Sequence, residues 1–178
     1  MAYPHSFPRG DFMKRKIIIA LDFGYSLDDN ALSSIDDIAL ATLVLTGRCK
    51  NCIVLAQEKV HNRIENLCKH DFPLFKLETG QSTTSGMTGG TWHALRAAKR
   101  IMDQYCLGDS AILISHELQF NRAQNQAHKI GLYVRRPKGV TLPRVCYKTA
   151  EQWWCRNGFG WHLRELFGYI PLKLRGQL

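Results

Sequence analysis

A chain of 178 residues, 45% hydrophobic and 22% charged, is long enough for one well-buried domain and has an ordinary globular composition, which excludes a disordered, fibrous or repeat protein. No apolar run approaches the roughly 20 residues that span a bilayer, so no transmembrane segment is expected. The net charge of +9 is uneven, because residues 1–90 carry 10 Lys+Arg against 10 Asp+Glu while residues 91–178 carry 14 against 5. A one-sided positive excess points to an anionic partner: a phosphorylated small molecule, a nucleic acid or an acidic membrane surface.

Residues 1–14, with Pro4, Pro8 and Gly10, read as a loose lead-in without the apolar stretch of a secretory signal, which predicts a cytoplasmic location. Residues 15–178 are then expected to form a single domain. Its first central strand is the β-branched run 17–21, ended by Asp22-Phe-Gly24 and expected to be buried on both faces. Ser33 or Ser34 can cap the helix that follows, with Asp36 and Asp37 as capping-box partners and Gly47 as the stop. Ile35, Ile38, Ala39, Thr42 and Leu45 form its buried stripe. The second strand, 52–56, closes a right-handed βαβ unit with parallel strands, and Gln57 and Glu58 lie at its carboxyl end.

A short helix over 62–69 and a weaker strand over 72–77 come next, followed by a Gly-, Ser- and Thr-rich loop over 79–90. The spacing of Trp92, Leu95, Ala98, Ile101, Met102 and Tyr105 predicts a helix over 91–104, stopped by Gly108. Residues 110–114 form another buried strand, ending at Ser115-His116-Glu117. A helix over 121–129, ended by Gly131, and a strand over 132–135 complete the alternation. The pattern predicts an α/β fold, a Rossmann-like three-layer sandwich with a mostly parallel central sheet. Trp153, Trp154, Trp161, Leu163, Leu166 and Phe167 suit one more helix over 150–169, interrupted at Gly158 and Gly160.

Six cysteines without a secretory signal are expected to stay reduced. Cys49-Lys-Asn-Cys52 is a lone CxxC with no second pair near it, so buried thiols are expected rather than a metal site.

In an open parallel sheet, ligands bind outside the carboxyl ends of the strands. Those positions hold Asp22 and Gly24, Gln57 and Glu58, Ser115 and His116, and Arg135 and Arg136. The turn Gly86-Met-Thr-Gly89-Gly90-Thr91 precedes a helix, where free backbone N–H groups and the positive end of the helix dipole suit a phosphate or carboxylate. It is neither a Walker A loop nor a GxGxxG fingerprint. His93 and Arg96, on successive turns of that helix, address the same place. Arg122, read as opening the helix after His116, joins Arg135, Arg136 and Lys138 as cations on one edge of the cleft. Adjacent strand-end residues point in alternating directions, so Ser115, His116 and Glu117 do not make a triad. His116 is the expected neutral-pH base of any reaction.

Four features carry a resemblance to the bacterial YdcF/SanA/ElyC-like domain family over residues 16–170. They are the strand and loop 17–30, the turn at Gly90-Thr91, the segment 111–123 (Ala-Ile-Leu-Ile-Ser-His-Glu-Leu-Gln-Phe-Asn-Arg-Ala) and Leu163-Arg-Glu165. The resemblance implies a Rossmann-like fold, a nucleotide or S-adenosylmethionine-type ligand and a link to cell-envelope maintenance. Thr91 and Arg122 fall on residues of the family's motifs, whereas Gln119 stands where the family has His and Ala56-Gln57-Glu58 where it has Ser-Gly-Gly. Together these features predict a domain that binds a phosphorylated or nucleotide-like small molecule, acting on it as a hydrolase or transferase if it is an enzyme. The alternative is a non-catalytic module that binds nucleic acid or an acidic partner through its basic second half.

Overall fold

The computed structural model describes residues 15–23, 33–49, 51–77, 90–148, 150 and 155–174. Within them strands and helices alternate in the order β1 (Lys16–Ala20), α1 (Ser34–Arg48), β2 (Cys52–Gln57), α2 (Glu58–Leu67), β3 (Leu74–Leu77), α3 (Gly90–Gln104), β4 (Ser110–Ile114), α4 (Glu117–Lys129), β5 (Tyr133–Arg135) and α5 (Gly158–Leu174). The strands form one sheet in the order β3-β2-β1-β4-β5, and every neighbouring pair is parallel. The chain moves outward from β1 to β3 and then restarts on the other side of β1 at β4. With right-handed crossovers, that reversal puts α1 and α2 on one face and α3 and α4 on the other. Accordingly α1 packs on α2 and α3 on α4. The expected α/β Rossmann-like three-layer sandwich is present, and its sheet is wholly rather than mostly parallel.

Burial follows from these layers. The central strands are covered on both faces, so β2 is buried throughout and β1 and β4 are buried after their first residue. Only continuous apolar runs survive in such a place. The edge strands β3 and β5 alternate instead. Register is tight across the middle, Ile18 lying between Val54 and Ile112. A slip of one residue would turn every one of these side chains to the opposite face.

Several element boundaries differ from the sequence expectation. Ser33 caps α1 as expected, its N–H and hydroxyl donating to the Asp36 carboxylate at 2.8 and 2.9 Å. Gly47 does not stop the helix, which runs on to Arg48; the turn into β2 uses Asn51 at φ 61°. Gly131 terminates α4 at φ 73°, but α3 ends at Gln104 ahead of Gly108: its left-handed residue is Cys106 at φ 53°, after which the Leu107 N–H donates to Met102 O at 2.8 Å. Helix α2 starts at Glu58, directly after β2, rather than at 62. Helix α4 starts at Glu117 rather than 121, because His116 is its N-cap and the ring Nδ1 accepts the Leu118 N–H at 3.2 Å. Gly158 and Gly160 sit inside the first turn of α5 instead of interrupting it, and Asn157 Oδ1 accepts the Gly160 N–H at 2.7 Å. Strand β3 is confined to its last four expected residues. The glycine-rich loop lies outside the described residues except for Gly90, which opens α3. All six cysteines are free thiols, with Cys49, Cys52 and Cys155 buried. No described helix is long and apolar enough to cross a membrane.

Candidate functional site

Strand order reverses between β1 and β4, so an open α/β sheet has its crevice above their carboxyl ends. Pairing persists one residue past β1, where the Leu21 N–H donates to Ile114 O at 2.9 Å. The chains then diverge into Asp22-Phe23 and Ser115-His116. Aromatic rings close the centre of the gap. Phe23 stacks on the His116 ring with centroids 4.0 Å apart and planes at 10°, and it tilts against Trp161 of α5 at 4.7 Å.

His116 is 0% exposed. With Nδ1 accepting from Leu118, Nε2 carries the proton and faces the Val145 carbonyl oxygen at 3.1 Å. Burial lowers its pKa below the ordinary 6.5, against the hydrogen bonds that favour the charged form. The ring is therefore a neutral helix cap with both nitrogens engaged, which argues against the expected role as base. Ser115 is equally buried, and its hydroxyl donates to the His116 carbonyl at 3.3 Å.

Polar groups gather around this closed centre, beginning on the β2 side. Gln57, 3% exposed, accepts the Asp22 N–H on Oε1 at 2.8 Å. Gly90 lies against the same side chain, close enough that a Cβ there would stand 3.9 Å from Gln57 Nε2. Burial pushes the Asp22 carboxyl up to about 6, opposed by the Lys59 charge and the Gln57 hydrogen bond. Next along the rim, Thr91 Oγ1 accepts from Gln119 Nε2 at 2.7 Å, and Gln119 Oε1 is buried with no partner among the described residues.

The amino ends of α3 and α5 differ chemically from those of α1, α2 and α4. The first turns of α1, α2 and α4 carry Asp36 and Asp37, Glu58, and Glu117. The first turn of α3 carries no acidic residue. In many Rossmann-like proteins the phosphate sits at the helix after the first strand; here that end is already met by the chain's own carboxylates. The α3 end has no such carboxylate within its own first turn.

Arg122 stands in the second turn of α4, on the face of Gln119, and does not open the helix as expected. Its Nη1 donates to Glu165 Oε1 of α5 at 2.7 Å, and its guanidinium lies 4.9 Å from the Trp161 ring centroid. Burial lowers its pKa to about 10. Arg164 donates to the same Glu165 oxygen at 3.0 Å and lies 5.0 Å from the same ring. Cys155 is buried near this group: burial pushes its thiol up to about 12, and the charges of Arg164 and Arg122 act against that shift.

The other expected site residues fall away from the rim. His93 is exposed on α3, and Glu58 is exposed with its carboxylate bonded to Lys76 at 2.8 Å. Arg135 ends β5, but register pairs it with Ile112 in the middle of β4. Its side chain instead helps line a groove of about 490 Å³ over the amino halves of β1, β4 and β5, with Arg15, Lys16, Ser110 and Tyr133. Arg136 is held by both oxygens of Glu117 at 2.7 Å and lies over Phe120 at 4.2 Å. Gly24 and Gly89 lie outside the described residues. Cys155 and Trp161 are rim residues that the sequence did not mark as site residues, and Gln119, Arg164 and Glu165 entered only through the resemblance. The i, i+3 spacing of Gln119 to the expected Arg122, and of Trp161 to Arg164, was the signal available.

No family model, curated protein or solved structure matches the chain.

Proposed function

We propose that this domain binds an anionic, nucleotide-like small molecule, a nucleotide or S-adenosylmethionine being the first candidates, at the carboxyl ends of the sheet strands. The observation that carries the reading is the amino end of α3. It opens beside Gln57 at the β1–β2 side of the switch point, lacks an acidic residue in its first turn and has next to Thr91 the Gln119 Oε1, which has no partner among the described residues. A phosphate or carboxylate is favoured at such an end, and the buried Gln119 oxygen suits a hydroxyl or amine of the same ligand. If the domain is a hydrolase or transferase, proton transfer falls to Asp22, whose pKa near 6 lies in the working range. The resemblance to the YdcF/SanA/ElyC-like family supports the ligand class and a role in cell-envelope maintenance.

Calorimetric titration with a nucleotide panel and S-adenosylmethionine, paired with thermal denaturation, tests the reading. Saturable binding that weakens in Thr91→Val is expected. A flat response to every member of the panel refutes it.

One observation favours a second reading, a module that binds nucleic acid through its basic surface. The amino-end groove brings together Arg15, Lys16 and Arg135 beside the exposed ring of Tyr133, and cations flanking an aromatic suit a single strand. Steeply salt-dependent binding of an oligonucleotide, lost in Lys16→Glu and unaffected by Thr91→Val, would favour that reading over the first.

A further inference from the structure

We propose that Arg122, Arg164 and Trp161 form a seat for a phosphate group, and that the Glu165 carboxylate occupies this seat in the ligand's place. Both guanidinium groups lie about one ring-stacking distance from a single indole, at 4.9 and 5.0 Å. Both donate to one oxygen, Glu165 Oε1. A structural ion pair needs one cation for its carboxylate; two converging on a single oxygen is the arrangement that receives an anion with several oxygens.

Arg122 is also only partly used. Its Nη1 is engaged, while its Nε is buried with no partner among the described residues. A phosphate has acceptor oxygens enough to take the Nε side of the guanidinium, which the carboxylate on Nη1 does not reach, and to keep another toward Arg164. Burial that depresses the Arg122 pKa leaves a desolvated cation with much to gain from a second negative charge. Glu165 is the outermost member, its side chain 29% exposed against 9% for Arg122 and 14% for Arg164. It can swing into solvent without opening the core. Through Gln119, one turn away and bonded to Thr91, the seat adjoins the amino end of α3. The inference deepens the reading above by giving the ligand a second anchor, and rests on that reading for the ligand being phosphorylated.

The test is calorimetric titration of inorganic phosphate and AMP into the parent chain, Glu165→Gln and Glu165→Asp. Glu165→Gln is expected to bind both ligands about tenfold tighter or better than the parent. Its thermal midpoint, lowered by loss of the ion pair, should recover in phosphate and not in chloride of equal ionic strength. Glu165→Asp, charged but one methylene short, should fall between the two. If Glu165→Gln does not fold alone, refolding in phosphate against chloride reads the same seat. The proposal is overturned if neither variant binds phosphate or AMP more tightly than the parent, or if phosphate fails to restore the Gln variant. Equal AMP binding by parent and variants removes the seat and leaves the nucleotide reading standing. Phosphate binding gained by Glu165→Gln, with no nucleotide bound by any form, keeps the seat and removes the nucleotide reading.

Discussion

Replacing Asp22 by Asn should make the protein more stable at neutral pH than the parent chain. The Asp22 carboxyl is held at about 6 in the folded state, against an ordinary 3.8, a difference of about two units, and each unit corresponds to about 1.4 kcal/mol. A carboxyl with a raised folded pKa holds its proton more tightly when folded than when unfolded. Its contribution therefore favours folding most below about pH 4 and is lost as pH rises through 6, to a total of about 3 kcal/mol. Asparagine keeps the size of the side chain and leaves the backbone N–H of residue 22 free to donate to Gln57 as before. Urea denaturation of both proteins from about pH 4 to pH 8 gives two curves whose difference isolates residue 22 from carboxylates of opposite sign such as Glu58 and Glu117. The difference should grow from near zero at the acid end to about 3 kcal/mol in favour of Asn. A difference that stays constant with pH, or that favours the parent as pH rises, refutes the reasoning and means that the Lys59 charge outweighs burial. A carboxyl kept in this state past the end of a central strand is the kind of cost that functional sites retain.

Three further outcomes follow from the same geometry. Thr91→Val strips the buried Gln119 amide of its one partner among the described residues and should cost about 1–3 kcal/mol, read as a lower denaturant midpoint at unchanged slope; an unchanged midpoint contradicts the buried bond. The His116 imidazole should titrate below 6.5 by NMR. Because its folded pKa is depressed, the unfolded chain binds more protons in that window and stability should rise with pH through it, the reverse of Asp22; a titration above 6.5 contradicts the neutral cap. Trp161→Ala removes the ring that packs on Phe23 and lies against both guanidinium groups, and should lower stability by about 3–5 kcal/mol. A loss below about 1 kcal/mol would mean that α5 is not anchored there.

Some elements were legible because their signal is local. β1, β2 and β4 read within a residue of their true bounds, since a strand covered on both faces must be a continuous apolar run. Ser33 with Asp36, and the period of α3, were visible for the same reason. The start of α4 was not, because the capping atom is a histidine ring nitrogen rather than a Ser, Asp or Asn oxygen. Glycine misled in the same way: Gly47 and Gly131 are the same letter, and only Gly131 adopts the left-handed backbone that ends a helix, while α3 is ended by Cys106.

The sequence by itself determined the three layers, the parallel sheet and the residues at most strand ends, including Asp22 and Gln57, because continuous apolar runs and the helical period of 3.6 act over a few residues. The tertiary structure alone decided which polar groups meet. Thr91 and Gln119 are 28 residues apart and Arg122 and Glu165 are 43, separations across which no period is carried. Crossover handedness and the docking of α5 bring them to one rim, while the same packing turns His116 inward, closes the centre with Phe23 and Trp161, and sends Arg135 to the opposite half of the sheet. Strand ends are fixed by local burial, whereas a site is fixed by where distant helices come to rest on them.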